Sequence, residues 1–222
     1  MIILGVKMTK FSLIITAGGS SSRYGKNKLL EELGGKTVIE NTVNAFLSLE
    51  CINQIIIPTN SDYIKEFQNL FSNNKIKIID GGKSRQESVY KALQFVENEY
   101  VIIHDGARPL VKPAIVEQVI DMVKTHNAVS VMVKTTDTIK EVDENGQILK
   151  TIDRSRLYNT QTPQAFRTEL ILSAHKQLQN KSFTDDASML EELDVPVFVV
   201  NGSYTNIKIT TKSDLDFAKL YI

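Results

Sequence analysis

The feature that most constrains this chain is a repeated switch between short apolar runs and amphipathic stretches of ten or more residues. Apolar runs at 12–17 (SLIITA), 54–58 (QIIIP), 75–80 (KIKIID), 100–104 (YVIIH) and 128–133 read as strands. Runs that are apolar throughout must be covered on both faces, and intervening helices join their strands in parallel. The pattern predicts an α/β fold, a mostly parallel twisted sheet with helices on both faces.

Helix starts are marked as well. Thr37 and Glu40 have capping-box spacing before a stretch carrying Val38, Ile39, Val43, Phe46 and Leu47. Ser84 and Glu87 repeat that spacing before Val89, Ala92, Leu93 and Val96, and helices are further expected over 61–71 and 113–126. The pattern then changes. Two polar-alternating runs at 138–142 and 147–152 flank Asp143-Glu-Asn-Gly146 and predict a β-hairpin arm, placed at about 137–158 in a single domain spanning 1–222. Helices around 168–179 and 185–193, strands at 197–200 and 206–210, and a last helix from Thr211 complete the expectation.

Composition narrows the function classes. With 26 basic against 26 acidic residues the formal charge is zero, which argues against a broad nucleic-acid or membrane-surface footprint. A hydrophobic fraction of 42% supports a real core and excludes disorder as the main state. The single cysteine, Cys51, cannot form an intrachain disulfide, and no apolar run reaches the roughly 18 residues of a membrane span. Lys7 and Lys10 follow the apolar opening MIILGV, the reverse of a secretory signal, so a cytoplasmic location is expected.

In open parallel sheets ligands bind beyond the carboxyl ends of the strands. The loop after the first strand, Ala17-Gly18-Gly19-Ser-Ser-Ser-Arg23-Tyr-Gly-Lys-Asn-Lys28, offers close backbone approach, hydroxyls and two cations to an anion. It is neither a Walker A loop nor the dinucleotide fingerprint, and alone it also fits a plain turn. His104-Asp105-Gly-Ala107-Arg108-Pro109 follows another strand, where Asp105 can hold Mg²⁺, pair with Arg108 or cap a helix. Lys208, between Ile207 and Ile209, points away from the apolar side of its segment and fits a solvated lysine too. Asp185 and Asp186 fit a metal pair less well than a first helical turn.

Taken together, TAGGSSSRYGKNK, DGGKSRQESV, IIHDGARP, DTIK, DRSRLYNTQTPQAF, TDDAS and NGSYTNIKITT resemble the 2-C-methyl-D-erythritol 4-phosphate cytidylyltransferase family of the non-mevalonate isoprenoid pathway, from about residue 12 onward. The resemblance implies a Rossmann-like nucleotidyltransferase fold, CTP as co-substrate, Mg²⁺ or another divalent cation, methylerythritol phosphate as acceptor, and a homodimer through the β-arm. Residue by residue it implies that Arg23 and Lys28 stabilise the transferring phosphoryl group and that Arg154 and Lys208 hold the acceptor phosphate. It assigns Asp105 to the metal. Ala17, Gly18, Gly19, Gly82, Ser88, Ala107 and Arg108 go to the CTP pocket, and Thr138 and Thr162 lie near the acceptor. A ribitol 5-phosphate cytidylyltransferase on the same fold stays open, as does a non-catalytic nucleotide-binding module.

The chemistry of such a reaction suits these residues. A phosphate monoester is largely dianionic at neutral pH, so it attacks without a general base. What the step needs is charge neutralisation and alignment of two anions. Removing one of the cations is expected to cost on the order of 3 kcal/mol in the barrier.

Overall fold

The fold was analysed in a computed structural model, which describes residues 8–18 and 27–222. In chain order the elements are β1 (Phe11–Thr16), β2 (Glu32–Leu33), β3 (Lys36–Thr37), α1 (Val38–Leu47), β4 (Ile52–Thr59), α2 (Ile64–Leu70), β5 (Ile76–Asp80), α3 (Arg85–Leu93) and β6 (Tyr100–Asp105). The second half continues with α4 (Pro113–His126), β7 (Ala128–Lys134), β8 (Lys140–Val142), β9 (Ile148–Thr151), β10 (Tyr158–Arg167), α5 (Thr168–Gln177), α6 (Ala187–Glu191), β11 (Phe198–Asn201) and α7 (Lys212–Ala218).

A seven-stranded sheet in the order β11-β7-β10-β6-β1-β4-β5 carries the fold. All its neighbours pair in parallel except β10, which runs antiparallel to both β6 and β7. The apolar strand runs divide between two cores. Leu13, Ile15, Ile55, Ile57 and Ile102 face one core with α1 and α4, while Ile14, Ile56, Val101 and Ile103 face the other with α3, α5 and α6. Both faces are therefore buried, which is why the strands read as unbroken apolar runs.

Side-chain caps set the starts of α1, α3 and α7. Thr37 accepts from the Glu40 amide while the Glu40 carboxylate accepts from the Thr37 amide at 2.7 Å, and Thr211 with Asp214 repeats the arrangement at α7. At α3 only half of the expected box forms. Ser84 caps the Glu87 amide, but the Glu87 carboxylate accepts from Lys83 instead, at 2.8 Å.

The expected helix over 61–71 divides into a 3₁₀ turn, Ser61–Tyr63, followed by α2. The expected helix over 185–193 shortens to α6, because Asp185 turns its side chain back to cap the Ser188 amide at 3.1 Å. Residues 206–210 pair with no strand and form an extended segment instead. The largest addition is β10, which the sequence disguises with Pro163 and with Thr160, Gln161, Thr162 and Gln164, polar residues that look turn-like. Three of them, Gln161, Thr162 and Gln164, are buried.

The hairpin β8–β9 forms as expected, with Asp143 accepting from the Asn145 and Gln147 amides and Gly146 at φ +83°. Strand order reverses beside β1, since β4 and β5 lie to one side and β6 to the other. A crevice at the carboxyl ends of β1 and β6 is the expected ligand position.

Gly106, just past β6, holds these two strand ends together. Its amide donates to the Thr16 carbonyl at 3.0 Å, and its carbonyl accepts from Thr42 at 2.8 Å. A Cβ there would stand 2.9 Å from that same Thr16 oxygen and 2.9 Å from Ile39 Cδ1. Gly106→Ala is therefore expected to destabilise the fold by about 1–3 kcal/mol through overpacking against backbone. A lowered denaturation midpoint with an unchanged m-value checks this.

Candidate active site

At the carboxyl end of β6 lies a cleft of about 360 Å³ whose wall includes Arg85, Asp105, Arg108, Thr162 and Lys208. Asp105, at the carboxyl end of β6, is almost fully buried and is shared among three cations. Arg85 Nε lies 3.3 Å from Oδ1, while Arg108 Nε at 3.5 Å and Lys208 Nζ at 2.9 Å share Oδ2. Burial pushes the carboxyl up, but Arg85, Lys208 and Arg108 together hold it well below the usual carboxylate range. Asp105 is thus an anion at all ordinary pH. The local Asp105–Arg108 pair anticipated from the sequence exists, as one part of a larger cluster.

Lys208 reaches Asp105 because its segment is tied down. Ile209 is buried and its amide donates to the Ala107 carbonyl at 2.8 Å, while the Asn206 carbonyl accepts from Arg108 Nη1 at 2.7 Å. Asn206 is itself buried and donates to the Thr162 carbonyl at 2.9 Å. The surface-lysine reading of Lys208 is overturned by its ion pair, although its side chain keeps 40% exposure toward the cleft.

His104 sits beneath this cluster. Its Nδ1 faces the Thr162 hydroxyl at 3.1 Å, and that hydroxyl accepts from the Asp105 amide at 3.0 Å. The hydroxyl proton therefore goes to Nδ1, and Nε2–H donates to the Arg108 carbonyl at 3.1 Å. Both ring nitrogens are used in holding the loop. Burial pulls the imidazole down to about 4.

A second group of candidates meets around Ser88. Its hydroxyl accepts from the Gly82 amide at 2.9 Å and donates to the Ser84 carbonyl at 2.8 Å. A Cβ on Gly18 would stand 3.2 Å from this oxygen, and a Cβ on Gly82 would collide with Glu87 at 2.4 Å. Ala17 donates its amide to the Pro58 carbonyl at 3.0 Å, beside Gly18 at the end of β1. Gly18, Gly82 and Ser88 are thus packed closely together at the ends of β1 and β5, next to the buried Ala17. Arg23 and Gly19 lie outside the described residues. Lys28 opens the 3₁₀ turn Lys28–Leu30 that leaves the same loop, capped by Asn27.

Two candidates stand apart from the cleft wall. Thr138 is exposed before β8, and Arg154 is exposed at the root of the arm, where its guanidinium donates to the Thr136 carbonyl. Asp185 and Asp186 do not form a metal pair. Asp185 accepts from the Gln164 amide group at 2.7 Å, and Asp186 is ion-paired with Arg85 at 2.7 Å. Arg85 is the residue that sequence reasoning missed. In the sequence it follows the capping Ser84 and reads only as the first residue of a helix.

A mostly parallel α/β sheet with Gly18 directly after β1 and a cleft beyond β6 that gathers Arg85, Arg108 and Lys208 defines a protein that binds nucleotides and handles phosphate. Comparison with known sequences makes this specific. The family model for 2-C-methyl-D-erythritol 4-phosphate cytidylyltransferase matches residues 11–222, and the chain belongs to that family. Cytidylyltransferases of that name from Bacillus mycoides and Caldanaerobacter subterraneus are 39% and 40% identical, covering 96% and 95% of this chain and 97% and 98% of theirs. The crystal structure of the Anaerococcus prevotii 4-diphosphocytidyl-2C-methyl-D-erythritol synthase superposes with TM-score 0.84 at 32% identity, covering 96% of each chain. That of the Francisella tularensis 2-C-methyl-D-erythritol 4-phosphate cytidylyltransferase gives 0.83 at 30% identity, covering 96% of this chain and all 100% of that one.

The neutral, buried state of His104 predicts a pH effect on stability. The unfolded chain takes up this proton near 6.5, the folded chain only near 4. Stability should therefore fall as pH drops from 6.5 towards 4, by an amount on the order of 3 kcal/mol in all, and the His104 contribution should then level off. Urea midpoints across that range, compared with His104→Gln, check it. The variant should lose most of the slope in this window, whereas the Asp105 contribution, full at neutral pH, is lost only from about pH 5 downward.

Proposed function

We propose that this protein transfers the cytidylyl group of CTP to 2-C-methyl-D-erythritol 4-phosphate, releasing pyrophosphate and giving the CDP-linked product, a step of isoprenoid precursor biosynthesis. The observation that carries the reading is the meeting of Asp105, Arg108 and Lys208 in one cleft, in a chain of this family.

The acceptor phosphate is the nucleophile and brings its own negative charge, so the site needs cations and alignment rather than a base. The histidine at the cleft fits this. His104 has both nitrogens engaged and stays neutral, leaving it no proton-transfer role. Lys208, half-exposed to the cleft, is placed to receive the acceptor phosphate as a point charge, and Thr162 lies beside it. Arg23 and Lys28 take the transferring phosphoryl group, while Ala17, Gly18, Gly19, Gly82 and Ser88 form the side of the site that takes the nucleotide. Ala107 and Arg108 continue that pocket past β6.

Among the described residues no three carboxylate, histidine or cysteine side chains gather into a metal cage. Asp105 is a single carboxylate whose Oδ2, shared by the longer Arg108 contact and the part-exposed Lys208, is the oxygen that would be released to Mg²⁺ arriving with the triphosphate, since Mg²⁺ commonly uses one or two carboxylates and completes its shell with phosphates and water. Held at Asp105, the cation would supply charge neutralisation on the phosphate oxygens.

We further propose a cytoplasmic single-domain enzyme that works as a homodimer through the arm. Val142, Ile148 and Leu149 on the hairpin are 52%, 59% and 55% exposed, and a two-stranded ribbon alone is marginal in water. Arg154 at the arm root, with Thr138, then serves the same acceptor phosphate as Lys208 once packing on a second copy sets the arm.

Pyrophosphate release from CTP, Mg²⁺ and methylerythritol phosphate tests the reaction, with ribitol 5-phosphate run in parallel as the alternative acceptor. Lys208→Ala should lower turnover about a hundredfold and raise KM for methylerythritol phosphate, with KM for CTP nearly unchanged. A variant that instead loses CTP affinity would move Lys208 out of the acceptor site. Light scattering at micromolar concentration should give twice the chain mass, and a fully active monomer would reject the arm-mediated dimer.

A further inference from the structure

One buried ion pair is not accounted for by these roles. Arg85, the first residue of α3, spans two aspartates with a single guanidinium, Nε at 3.3 Å from Asp105 Oδ1 and Nη2 at 2.7 Å from Asp186 Oδ2. Asp186 is 1% exposed and lies just before α6, outside the cleft wall. Its other oxygen faces the equally buried His175 Nε2, on α5, at 3.6 Å. Its amide donates to Gln164 Oε1 at 3.2 Å, on β10.

A plain strut between α3 and α6 would need only Arg85 and Asp186, and buried ion pairs contribute little net stability in general. What the strut does not require is the second contact. Arg85 occupies Oδ1 of Asp105 and leaves Oδ2 to Arg108 and Lys208. An arginine that lines a phosphate cleft with no counter-ion would itself bind phosphate. Asp186 prevents that by neutralising the guanidinium.

We infer that Arg85 is a positioning residue for the cytidylyl-transfer site, held by Asp186 so that it pins one oxygen of Asp105 and leaves the other to exchange partners when ligands enter. The inference rests on the reaction proposed above and goes beyond it by assigning Arg85 and Asp186, which touch no reacting group, a part in the rate.

Wild-type pyrophosphate release is measured first, because its absence would reject the reaction and not this role. Arg85→Met should then lower kcat about 30-fold, with KM for CTP changed by less than about threefold, as expected when the support of a ligand-bearing side chain is removed. Asp186→Asn should reproduce that loss with Arg85 in place. The double variant Asp105→Asn with Arg85→Met should be no slower than Asp105→Asn alone, because Arg85 acts through that carboxylate. Mn²⁺ binding in the presence of CTP, followed by electron paramagnetic resonance, should weaken in Arg85→Met in the same direction as in Asp105→Asn.

Losses that multiply in the double variant overturn the inference. So does an Arg85→Met protein that loses thermal stability yet keeps wild-type kcat and Mn²⁺ binding. Should Arg85→Met fail to fold, Arg85→Lys carries the same comparisons, since one ammonium reaches only one of the two aspartates. If neither variant folds, Arg85 belongs to the frame alone and the inference is rejected.

Discussion

The buried carboxylate of Asp105 is the constraint around which this molecule is arranged. An anion this far from water is tolerated only when it is paired on all sides, and three cations come from three separate parts of the chain to do so. Arg85 arrives from the start of α3, Arg108 from the turn after β6, and Lys208 from the segment before α7. Each contact therefore also closes a loop at the carboxyl edge of the sheet. The same grouping carries one net positive charge, counting Asp186 with it, while Asp185 and Glu191 also line the cleft, so an anionic ligand is met at this grouping rather than along the whole wall. Structure and chemistry are served by one set of ion pairs.

That double use explains the polar interior of β10. An apolar antiparallel strand at this position would pack as well against β6 and β7, but it could not organise the loop ends. Thr162 joins the Asp105 amide to His104, and Gln164 bonds Ser130 and Asp185 while accepting from the amides of Asp186 and Ala187. Every polar atom of Gln164 that these bonds use is buried, so a mismatch would leave an unpaired group at a cost of about 1–3 kcal/mol. The strand trades apolar burial for a fixed arrangement of the site.

The same trade decides what could be read from the sequence. Elements whose residues answer only to packing were legible. The alternating faces of β1, β4 and β6, the caps at Thr37 and Thr211, and α4 from its Pro113 to the left-handed Asn127 all follow local rules. Asp105, Lys208, Thr162 and Ser88 were found by their place in loops and by family resemblance, and the fold brings each to the strand switch. β10 and the 206–210 segment were misread because their polar residues serve partners distant in sequence, which no local periodicity reports. Arg85 was missed for the same reason. Its partners, Asp105 and Asp186, lie 20 and 101 positions away, and only the topology of the sheet brings them together.

The segment that carries Lys208 shows why irregular backbone suits this task. A cation placed on a regular edge strand would be held by a ladder that fixes its neighbours and leaves the long side chain to solvent. Here Ile209 is anchored on Ala107, and the Asn206 carbonyl on Arg108, so the backbone on either side of Lys208 is tied to the turn that bears Asp105. The turn bearing Asp105 and the segment bearing Lys208 are therefore tied to one another through backbone. Asn206 then binds the Thr162 carbonyl, which ties the same unit to β10. The carboxylate, the ammonium and the threonine hydroxyl are thereby one rigid group despite coming from distant parts of the sequence. Preorganisation of charge at the cleft is a property of these three backbone-anchored contacts.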